Sequence, residues 1–446
     1  MPLLTTLASC SVRGFGFGSL ADDSFSFDGT LAVPNWNSGT ITQRKLIQSD
    51  ASGGQFGRPV TLSYDGNYFV GGSAASNNTP SNAGKAYVFL KTGAAPSSTY
   101  PQQAILQHDT PSADDAFSYD YDTIDINRDG TYFIGGARTE DPVGAFNGGK
   151  AYIFTRSGTS WSQQATLESS DIQGNDQFGI GVAINGDGTI AAVSATGEDG
   201  GAGDPLASSG AVYIYTRSGS TWSEQTILRA SNAGASDSFG ARIDMDEAGE
   251  YLLVSAHVED GPTDSTSNVG CAYVFKRTGS SWAEQAILRP SDPAASMFFG
   301  RGAINSEGNI CAIPSDRVDS FRGAVYVFTR SGSEWTQQAK IAGPGGFDTF
   351  FGGAVAINEG NIIAARAAKT STGLTSDGVI YVYQVTDPTN PQSSWTLKKT
   401  FQSSDIADGD NFGFSIEISK DGSVIGAGAI SEGTNGSCYT FEVPFV

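Results

Sequence analysis

Residues 171–228 read DIQGNDQFGIGVAINGDGTIAAVSATGEDGGAGDPLASSGAVYIYTRSGSTWSEQTIL, and this stretch decides the fold. It contains four short runs of alternating, β-branched and aromatic residues, which Gly, Asp, Asn and Ser separate. That pattern is typical of consecutive antiparallel strands. The Asp187-Gly188 pair favours a tight hairpin, because these residues tolerate the positive φ that such turns need. The stretch predicts a four-stranded meander with strand A at residues 178–184, strand B at 189–193, strand C at 211–216 and strand D at 223–228.

The same meander occurs seven times along the chain. The Phe of the Phe-Gly pair that begins strand A is found at Phe56, Phe117, Phe178, Phe239, Phe299, Phe351 and Phe412, with Ser after Phe117. These positions are 61, 61, 61, 60, 52 and 61 residues apart. Strand C gives the same count, at residues 86–89, 151–154, 211–215, 272–275, 324–328, 379–383 and 438–441. Because a single meander leaves its strand edges unpaired, each copy needs neighbours of its own kind.

Four-stranded units that repeat in this way are typical of a β-propeller, in which radial packing protects the strand edges. A linear stack is the alternative, but the order of the terminal segments favours a closed ring. The last copy ends after strand C, whereas residues 41–47 (ITQRKLI) precede the first Phe-Gly pair with the pattern of a strand D. The sequence therefore predicts an all-β protein, a seven-bladed β-propeller with four antiparallel strands per blade. Its N-terminal outer strand is predicted to complete the C-terminal blade.

The repeat also resembles a known family. The succession of D-x-F-G, an Asp-Gly hairpin, a long polar loop, G-x-A-Y-V-F-T-R-S-G and W-x-x-Q is similar to the FG-GAP repeats of integrin-α-type seven-bladed propellers. The resemblance extends over residues 41–443 and departs from the family in its calcium loops. It implies a propeller that is used for binding, without identifying a ligand.

The composition is that of an acidic protein. The chain has 446 residues and a formal net charge of −21. Length alone suggests about three domains, but the repeats favour one large domain. The acidity disfavours nucleic-acid binding, which needs a basic surface. The chain has no apolar run of about 18 residues, so membrane insertion is not predicted. Buried free thiols rather than disulfides are expected at Cys10, Cys271, Cys311 and Cys438.

Residues 1–39 precede the repeats, and residues 40–446 form the predicted propeller. The segment contains a run rich in Gly and Phe at residues 11–18 (SVRGFGFG). It resembles the leader segments of tail fibre-like structural proteins of marine tailed phages. The resemblance implies a docking segment that binds other virion or assembly proteins, and a location in a virion. The alternatives are a tail packed against the propeller's own side and an extracellular or cell-surface location.

Successive strands run in opposite directions, so the two faces of the ring differ. The A–B and C–D turns form one face, here called the hairpin face, whose Thr-Arg-Ser-Gly turns bring arginines near tryptophans. We interpret these as repeated structural turns, with cation–π binding as the alternative. The B–C loops and D–A connections form the other face, the loop face, and variable loops on a rigid scaffold commonly bind ligands. The predicted surface for a host receptor or glycan consists of Glu140, Asp141, Glu198, Asp199, Asp204, Glu259, Asp260 and Asp264.

Two groups of oxygen-bearing residues resemble calcium ligands. The first group matches half of a D-x-N-x-D-G loop and consists of Asp125, Asn127 and Asp129. The second group comes from the D–A connections and consists of Asp171, Asp176, Asp405, Asp408 and Asp410. The alternative interpretations are a plain hairpin for the first group and carboxylates that cap loop N–H groups for the second. No cofactor is predicted, and Ca²⁺ is kept as the alternative.

Catalytic constellations are scarce in the sequence. His108 and His257 fall in different repeats, and no Ser-His-Asp order, zinc spacing or phosphate loop accompanies them. The sequence therefore predicts a non-enzymatic structural or adhesive protein of a virion that presents its loop face to a partner. The alternatives are a calcium-dependent extracellular adhesion protein of the integrin-α type and a carbohydrate-active propeller enzyme.

Overall fold

The structure of the protein is a computed structural model. It describes Trp36 and residues 41–50, 54–73, 80–120, 122–201, 203, 205–263, 266–345, 349–359, 362–368, 377–387 and 394–443. Within these ranges, the strands form seven four-stranded antiparallel sheets. The sheets are the blades of a β-propeller, as the repeat count predicts.

The first strand is β1 (Thr42–Leu46), and in the three blades after it the four strands follow one another in sequence order. Blade 1 consists of β2 (Val60–Leu62), β3 (Tyr68–Ser73), β4 (Lys85–Leu90) and β5 (Gln102–Leu106). Blade 2 consists of β6 (Ile124–Ile126), β7 (Tyr132–Ala137), β8 (Lys150–Ser157) and β9 (Ser160–Leu167). Blade 3 consists of β10 (Gly181–Ile184), β11 (Ile190–Ala195), β12 (Ala211–Ser218) and β13 (Thr221–Leu228).

The next three blades have the same order of strands. Blade 4 consists of β14 (Arg242–Met245), β15 (Tyr251–Ala256), β16 (Cys271–Thr278) and β17 (Ser281–Leu288). Blade 5 consists of β18 (Ala303–Ile304), β19 (Ile310–Ser315), β20 (Ala324–Ser331) and β21 (Glu334–Ala342), with a short helical turn, α1 (Val318–Phe321), after β19. Blade 6 consists of β22 (Val355–Ile357), β23 (Ile362–Ala367), β24 (Val379–Val385) and β25 (Trp395–Phe401).

Blade 7 joins the two ends of the chain. It consists of β26 (Phe412–Ile418), β27 (Val424–Ala429), β28 (Ser437–Glu442) and β1. Strand β1 runs antiparallel to β28, with Thr42 opposite Glu442 and Leu46 opposite Cys438. Leu46 is buried beside the first blade. The predicted closure of the ring by residues 41–47 is therefore confirmed.

The Phe of each Phe-Gly pair fixes the contact between neighbouring blades. Phe178 is fully buried, and its ring meets the rings of Tyr213 and Tyr215 edge-on, with centroids 5.3 and 6.2 Å apart. Its backbone N–H donates to the carbonyl oxygen of Gly148 in the preceding blade (2.8 Å). Gly149 has a φ of 84°, and a Cβ there would lie 2.1 Å from the Phe178 carbonyl oxygen, so this approach requires glycine. All seven phenylalanines donate an equivalent bond.

Further contacts between blades repeat near the axis and at the outer edge. Around the axis, the A–B hairpins are linked by backbone bonds. Tyr64 N–H donates to the Arg128 oxygen (3.1 Å), and Arg128 N–H donates to the Gly186 oxygen (3.2 Å). At the outer edge, Trp222 Nε1 donates to Gln164 Oε1 of the preceding blade (3.0 Å). Two other blades repeat this Trp–Gln bond, which explains the W-x-x-Q pattern.

Trp36 belongs to the propeller core, although the sequence analysis assigns it to the leader. Its side chain is 1% exposed, and its ring packs edge-on against Phe401 with centroids 5.6 Å apart. The surrounding cluster contains residues of blades 6 and 7, among them Ile380 and Phe412. At this position the structure agrees with the alternative of a segment packed against the propeller. The rest of residues 1–39 lies outside the described residues.

The three cysteines that the structure describes, Cys271, Cys311 and Cys438, are buried free thiols, as expected. Burial raises the pKa of the Cys271 thiol well above its usual value, so the group stays protonated. In the described part of the chain, no helix has the length and apolar character needed to cross a membrane.

Candidate functional site

The glutamates of the predicted binding surface are buried in ion pairs. Glu140, Glu198 and Glu259 occupy the same repeat position, just after strand B, and are 7%, 4% and 0% exposed. Arg289 donates two hydrogen bonds to Glu259 (2.7 and 2.5 Å). Burial alone would raise the pKa of Glu259, but the Arg289 guanidinium lowers it below its usual value. Arg229 Nη2 lies 2.6 Å from Glu198 Oε1. These glutamates therefore hold the loops in place.

The aspartates beside these glutamates close the loops. Each of these aspartates accepts a hydrogen bond from a loop N–H group at its Oδ1 atom. The donors are Asn147 N for Asp141 (2.7 Å), Ser208 N for Asp199 (2.7 Å) and Asn268 N for Asp260 (2.8 Å). Such bonds from a loop N–H to a carboxylate stabilise turns. Asp204 and Asp264 lie outside the described residues. Direct contact of the acidic loop residues with a partner stays a prediction.

The first calcium candidate lies on strand A and the A–B hairpin of blade 2. Asn127 Oδ1 and Asp129 Oδ1 both accept hydrogen bonds from Thr131 N (2.9 and 3.1 Å). Asp125 lines the central channel and accepts a hydrogen bond from Ile184 N of the next blade (2.8 Å). Burial raises the pKa of Asp125 to about 7. The oxygens of this group thus make the bonds of a hairpin and of a blade contact.

The D–A connection of blade 3 brings several carboxylates together. Its pocket is lined by Asp171, Asp176, Glu198 and Asp199. Asp171 accepts a hydrogen bond from Tyr213 Oη (2.7 Å), and Arg229 lies 3.3 Å from its other oxygen. Asp176 accepts a hydrogen bond from Gln173 N (2.6 Å), as a capping residue does. Burial, together with the Glu198 and Asp171 carboxylates, raises the pKa of Asp176 to about 6. Arg229 already supplies a cation to this pocket.

The corresponding carboxylates of blade 7 have similar partners. Asp405 accepts a hydrogen bond from Tyr439 Oη (2.8 Å) and forms an ion pair with Lys45 of β1 (2.6 Å). Asp410 accepts a hydrogen bond from Ala407 N (2.5 Å), and Asp408 is exposed in the same turn. These contacts fit the capping alternative. Calcium at either group stays an untested alternative.

Six arginines lie at the loop-face ends of the inner strands, and two of them, Arg242 and Arg301, line the channel. They come from five blades and lie near the beginning of strand A or the end of strand B. We call this set the arginine rim, and it consists of Arg58, Arg138, Arg242, Arg301, Arg317 and Arg366. Its ion pairs join Asp120 to Arg58 (3.6 Å) and Arg138 (2.7 Å), Asp122 to Arg242 (3.1 Å), and Asp316 to Arg317 (3.9 Å). Guanidiniums and the carboxylates of Asp120, Asp122 and Asp316 therefore meet at the loop-face mouth of the channel.

Aromatic rings lie among these arginines. The Arg58 guanidinium carbon is 4.6 Å from the centre of the Tyr119 ring and 5.6 Å from that of Phe414. The Arg317 guanidinium carbon is 3.9 Å from the centre of the Phe298 ring. A guanidinium stacked on an aromatic ring has its N–H donors at its edge, where a carboxylate can accept two of them. The stacking therefore fixes orientations that suit anion binding.

His257 lies next to the arginine rim and is uncharged. Its Nε2 atom is 3.3 Å from Arg301 Nη2. Burial and the positive charges of Arg301 and Arg317 lower the pKa of His257 to about 3. At neutral pH the ring is therefore a neutral acceptor beside the guanidinium and adds no positive charge to the mouth.

The channel below the rim is acidic. Asp125, Asp244 and Glu417 from strands A of blades 2, 4 and 7 line it. Asp244 accepts a hydrogen bond from Ile304 N of the next blade (2.8 Å), as Asp125 does from blade 3. Burial opposes the charge on Lys420 at the hairpin end, yet the Asp244 and Glu417 carboxylates raise its pKa. The channel thus has guanidiniums at its loop-face mouth and carboxylates along its interior.

A cavity of about 580 Å³ opens beside the rim, between blades 1 and 2. Tyr119, Arg138 and Phe146 are among its lining residues. Phe146 is 68% exposed, and Val143 of the same B–C loop is fully exposed. Exposed aromatic side chains next to a charged rim are typical of interaction surfaces. This cavity and the arginine rim together form the candidate binding site.

Pattern reading misses the rim because its members share no single repeat position. Arg58 and Arg301 lie two residues after the Phe of their repeat, and Arg242 lies three residues after it. The other members follow or end strand B. A usable signal was nevertheless present, since basic residues are scarce in this chain. Three of them near Phe-Gly pairs mark the beginning of strand A, and therefore one mouth of the channel.

Three segments of the chain match the FG-GAP repeat, at residues 161–215, 222–275 and 395–441. Each match begins in strand D of one blade and ends in strand C of the next, which is the offset that lets β1 complete blade 7. The chain therefore contains FG-GAP repeats in a seven-bladed β-propeller. This is a fold of protein interaction and adhesion.

No curated protein matches the chain. Many solved structures share the fold, among them the C-terminal WD40 domain of Sif2. That crystal structure aligns with a TM-score of 0.51 and 12% sequence identity, over 90% of this chain and 99% of that chain. At this identity the similarity concerns the fold alone.

Proposed function

We propose that this protein is a non-enzymatic interaction or adhesion module that binds an acidic protein partner at the loop-face mouth of its channel. The arginine rim is the observation that carries the proposal. Six arginines converge there in a chain with a net charge of −21. The FG-GAP repeats support a binding role for the fold.

The exposed members of the rim are suited to contact the partner. Arg301 and Arg317 of blade 5 are exposed. A guanidinium binds a carboxylate through two parallel N–H···O bonds, which fix its orientation. Because Arg317 is already stacked on Phe298, less conformational entropy is lost when it binds. An acidic partner is repelled by the rest of the surface, so the rim also determines where it docks.

The neighbouring cavity offers an apolar contact for the same partner. Phe146 and Val143 are exposed, and they stand on a loop that Glu140 and Asp141 hold in shape. Aromatic side chains commonly provide the largest contributions to protein interfaces. We therefore expect the partner to place an acidic group on the rim and an apolar side chain beside Phe146.

A fluorescein-labelled oligoglutamate peptide tests the charge recognition. We expect anisotropy to show binding that weakens as salt is added, because the contacts are electrostatic. The double variant Arg301→Ala/Arg317→Ala should weaken binding by roughly tenfold or more, equivalent to about 1.4 kcal/mol. Lys398→Ala on the outer strand of blade 6 removes a positive charge away from the mouth and should leave binding unchanged.

Two results would contradict the proposal. One is equal peptide binding by the wild type and the double Arg variant, which would leave the rim without a role. The other is binding to an array of sialylated or sulfated glycans that depends on the same arginines while the peptide does not bind. That result would assign the site to an acidic glycan instead of a protein.

We also propose that the module belongs to a virion, with residues 1–39 as its docking segment. This placement depends on residues 1–39, of which the structure describes Trp36 alone. The FG-GAP matches fall outside this segment and add nothing to a phage origin. The genes that flank the coding gene provide the test, because neighbouring virion structural genes would support this location over a cell surface.

A carbohydrate-active enzyme is the second candidate, favoured by the channel carboxylates. Burial raises the pKa of Asp125 to about 7, and Glu417 and Asp244 line the same channel. A general acid of a glycosidase needs such a raised pKa. Both oxygens of Asp125, however, already accept backbone N–H groups, from Ile126 and Ile184. Turnover of a glycan by the wild type, lost in Asp125→Asn with binding retained, would establish the enzyme.

A further inference from the structure

His108, Asp115 and Glu140 form a buried cluster on the loop face of blade 2. Each offers one ligand atom, and these atoms all lie within 4.8 Å of one another. The His108 side chain is fully buried, and neither of its ring nitrogens makes a hydrogen bond. Its Nε2 atom is 3.2 Å from Asp115 Oδ2, in an arrangement that does not satisfy hydrogen-bond geometry. A buried imidazole without a hydrogen bond, facing two carboxylates, needs an explanation.

The corresponding positions of other blades show what blade 2 has changed. In blades 3 and 4 the glutamate binds an arginine that directly follows strand D, such as Arg289 for Glu259. In blade 2 the residue that directly follows strand D is Glu168, a second carboxylate, and Lys150 forms ion pairs with both Glu140 and Glu168 (3.1 Å each). His108 comes from the preceding connection, between blades 1 and 2, and the connection between blades 2 and 3 has Ser169 at the same position. The glutamate of blade 2 therefore has a carboxylate at the position of the guanidinium, and an imidazole from the neighbouring connection lies beside it.

We propose that His108, Asp115 and Glu140 bind a divalent first-row transition-metal ion, with Zn²⁺ as the best fit. One imidazole nitrogen and two carboxylate oxygens are ligands that Zn²⁺ accepts, at about 2.0–2.2 Å. Two ligands of a tetrahedral ion with such bonds lie about 3.4 Å apart, close to the His108–Asp115 separation of 3.2 Å. The imidazole disfavours Ca²⁺ and Mg²⁺, which prefer oxygen ligands.

The surroundings orient the ligands as the outer shell of a metal site does. Tyr152 Oη donates to Glu140 Oε2, and the Tyr152 ring stacks on the His108 ring with centroids 4.5 Å apart. Ser112 N donates to Asp115 Oδ2. The one ammonium in the cluster, that of Lys150, is 3.1 Å from Glu140 and also 3.1 Å from Glu168. The carboxylates of Asp115, Glu140 and Glu168 face this one ammonium, and a divalent ion would balance their excess charge.

The proposed ion would join two segments of the loop face. His108 and Asp115 lie in the connection from blade 1 to blade 2, and Glu140 lies at the base of the B–C loop that carries Phe146. Binding would therefore tie this loop to the adjacent connection and limit its motion. The site is independent of the arginine rim, so one proposal can fail without the other.

Equilibrium dialysis of chelator-treated protein against Zn²⁺ tests the site, with Mg²⁺ in excess to occupy acidic surface groups. We expect one tightly bound Zn²⁺ per chain and a rise in melting temperature, because a ligand of the native state stabilises it. His108→Ser, which copies Ser169, and Asp115→Asn should both lose the ion and the rise. Asp176→Asn is the matched control, because Asp176 occupies the position of Asp115 in blade 3, without a histidine.

The proposal is overturned if the wild type binds no Zn²⁺ under these conditions, since the cluster is then a metal-free histidine–carboxylate pair. It is also overturned if His108→Ser or Asp115→Asn retains the ion. If His108→Ser does not fold, Asp115→Asn decides, because its amide oxygen can still accept the Ser112 N–H bond. Loss of the ion in Asp176→Asn alone would move the site to blade 3 and would equally overturn this assignment.

Discussion

The arginines of the hairpin face make the same bonds in blade after blade, whereas those of the loop face each have their own setting. On the hairpin face, Arg217 Nε donates to the Gly188 oxygen (2.6 Å), and Arg156 Nε donates to the Gly130 oxygen of its own hairpin (2.7 Å). The Arg156 and Arg217 guanidiniums also lie over tyrosines of the preceding blade, Tyr68 at 4.6 Å and Tyr132 at 4.4 Å. The arginine rim has no such repetition. Arginines whose bonds recur in several blades stabilise the propeller. Arginines without such recurring bonds are available to select a binding partner.

Within the loop face, the buried glutamates also differ in whether their contacts recur from blade to blade. Glu198 and Glu259 repeat one arrangement, in which an arginine after strand D neutralises the buried glutamate. Glu140 departs from it, because blade 2 has Glu168 at the position of the arginine, and Lys150 and His108 lie beside Glu140 instead. A departure within an otherwise repeated arrangement is a better guide to function than an acidic side chain by itself.

Removal of β1 should have the largest effect. A chain that begins after residue 47 leaves β28 as the edge of blade 7, with Tyr439 and Phe441 beside an unpaired edge. Exposed edges pair with other chains, so we expect aggregation in size-exclusion chromatography and proteolysis that starts in blade 7. A chain that lacks residues 1–32 keeps Trp36 and β1 and is the control. Equal elution and melting of the two chains would contradict ring closure by β1.

Phe178→Ala should have the next largest effect. The ring is fully buried between blades 2 and 3, and truncation of a buried Phe costs about 3–5 kcal/mol because it leaves a cavity. Urea denaturation should show this loss. Thr196→Ala in the B–C loop of the same blade should change the free energy of unfolding by no more than about 0.5 kcal/mol. Similar losses for the two variants would contradict the role of Phe178 as a blade contact.

The sequence predicted the repeated part of this protein well, because that part has a periodic signal. The repeat contains equivalents of Phe178, Asp187-Gly188 and Trp222 at nearly constant spacing. Their bonds are made to nearby residues and to the neighbouring blade. Ring closure was also predictable, since residues 41–47 have the pattern of a strand without a meander of its own. The Arg–Trp pairing was only partly correct. Arg217 lies nearer to Tyr132 than to Trp222, at 4.4 against 6.0 Å.

The candidate site was less predictable, because it depends on contacts between distant repeats. Glu259 looks like an exposed acid in the sequence, and its burial follows from Arg289, which is 30 residues away. Arg58 and Phe414 meet only after the ring closes. Trp36 is another such case, since one aromatic residue in a Gly-rich segment carries no sign that it packs against Phe401. Positions that occur once have no periodic signal to reveal them.

Two buried acids on opposite faces should respond to pH in opposite ways. Burial raises the pKa of Asp246 on the hairpin face to about 7, whereas an unfolded Asp ionises near 4. The unfolded chain loses this proton first, so stability falls as the pH rises from about 4 to 7. The free energy of unfolding of Asp246→Asn should therefore be higher than that of the wild type at pH 8 by up to a few kcal/mol. At pH 5 the difference should be much smaller. Other blades already have asparagine here, as Asn127, Asn185, Asn305 and Asn358.

Glu259 on the loop face should give the opposite pH dependence of stability. Burial works against its charge, but Arg289 lowers its pKa below the usual value. Its contribution to stability is therefore present above pH 4.5 and is lost as the pH falls through the lower, folded-state pKa. Glu259→Gln should be less stable than the wild type at pH 7, and urea denaturation should show the difference shrinking below about pH 4. The same direction of pH dependence in both variants would refute the assignment.

The smallest change in stability, and the sharpest separation of the two faces, is expected from single arginine variants. Arg217→Ala removes the bond to Gly188 and the contact with Tyr132, and it should lower the free energy of unfolding by about 1–2 kcal/mol. It should leave oligoglutamate binding unchanged, because its turn lies on the hairpin face. Arg301→Ala should change stability by less than about 0.5 kcal/mol and should weaken peptide binding. Arg217→Lys and Arg301→Lys are matched controls, since each keeps the charge and loses the planar fork. If Arg217→Ala weakens binding as much as Arg301→Ala does, the peptide senses overall charge, and the loop face has no special role in recognition.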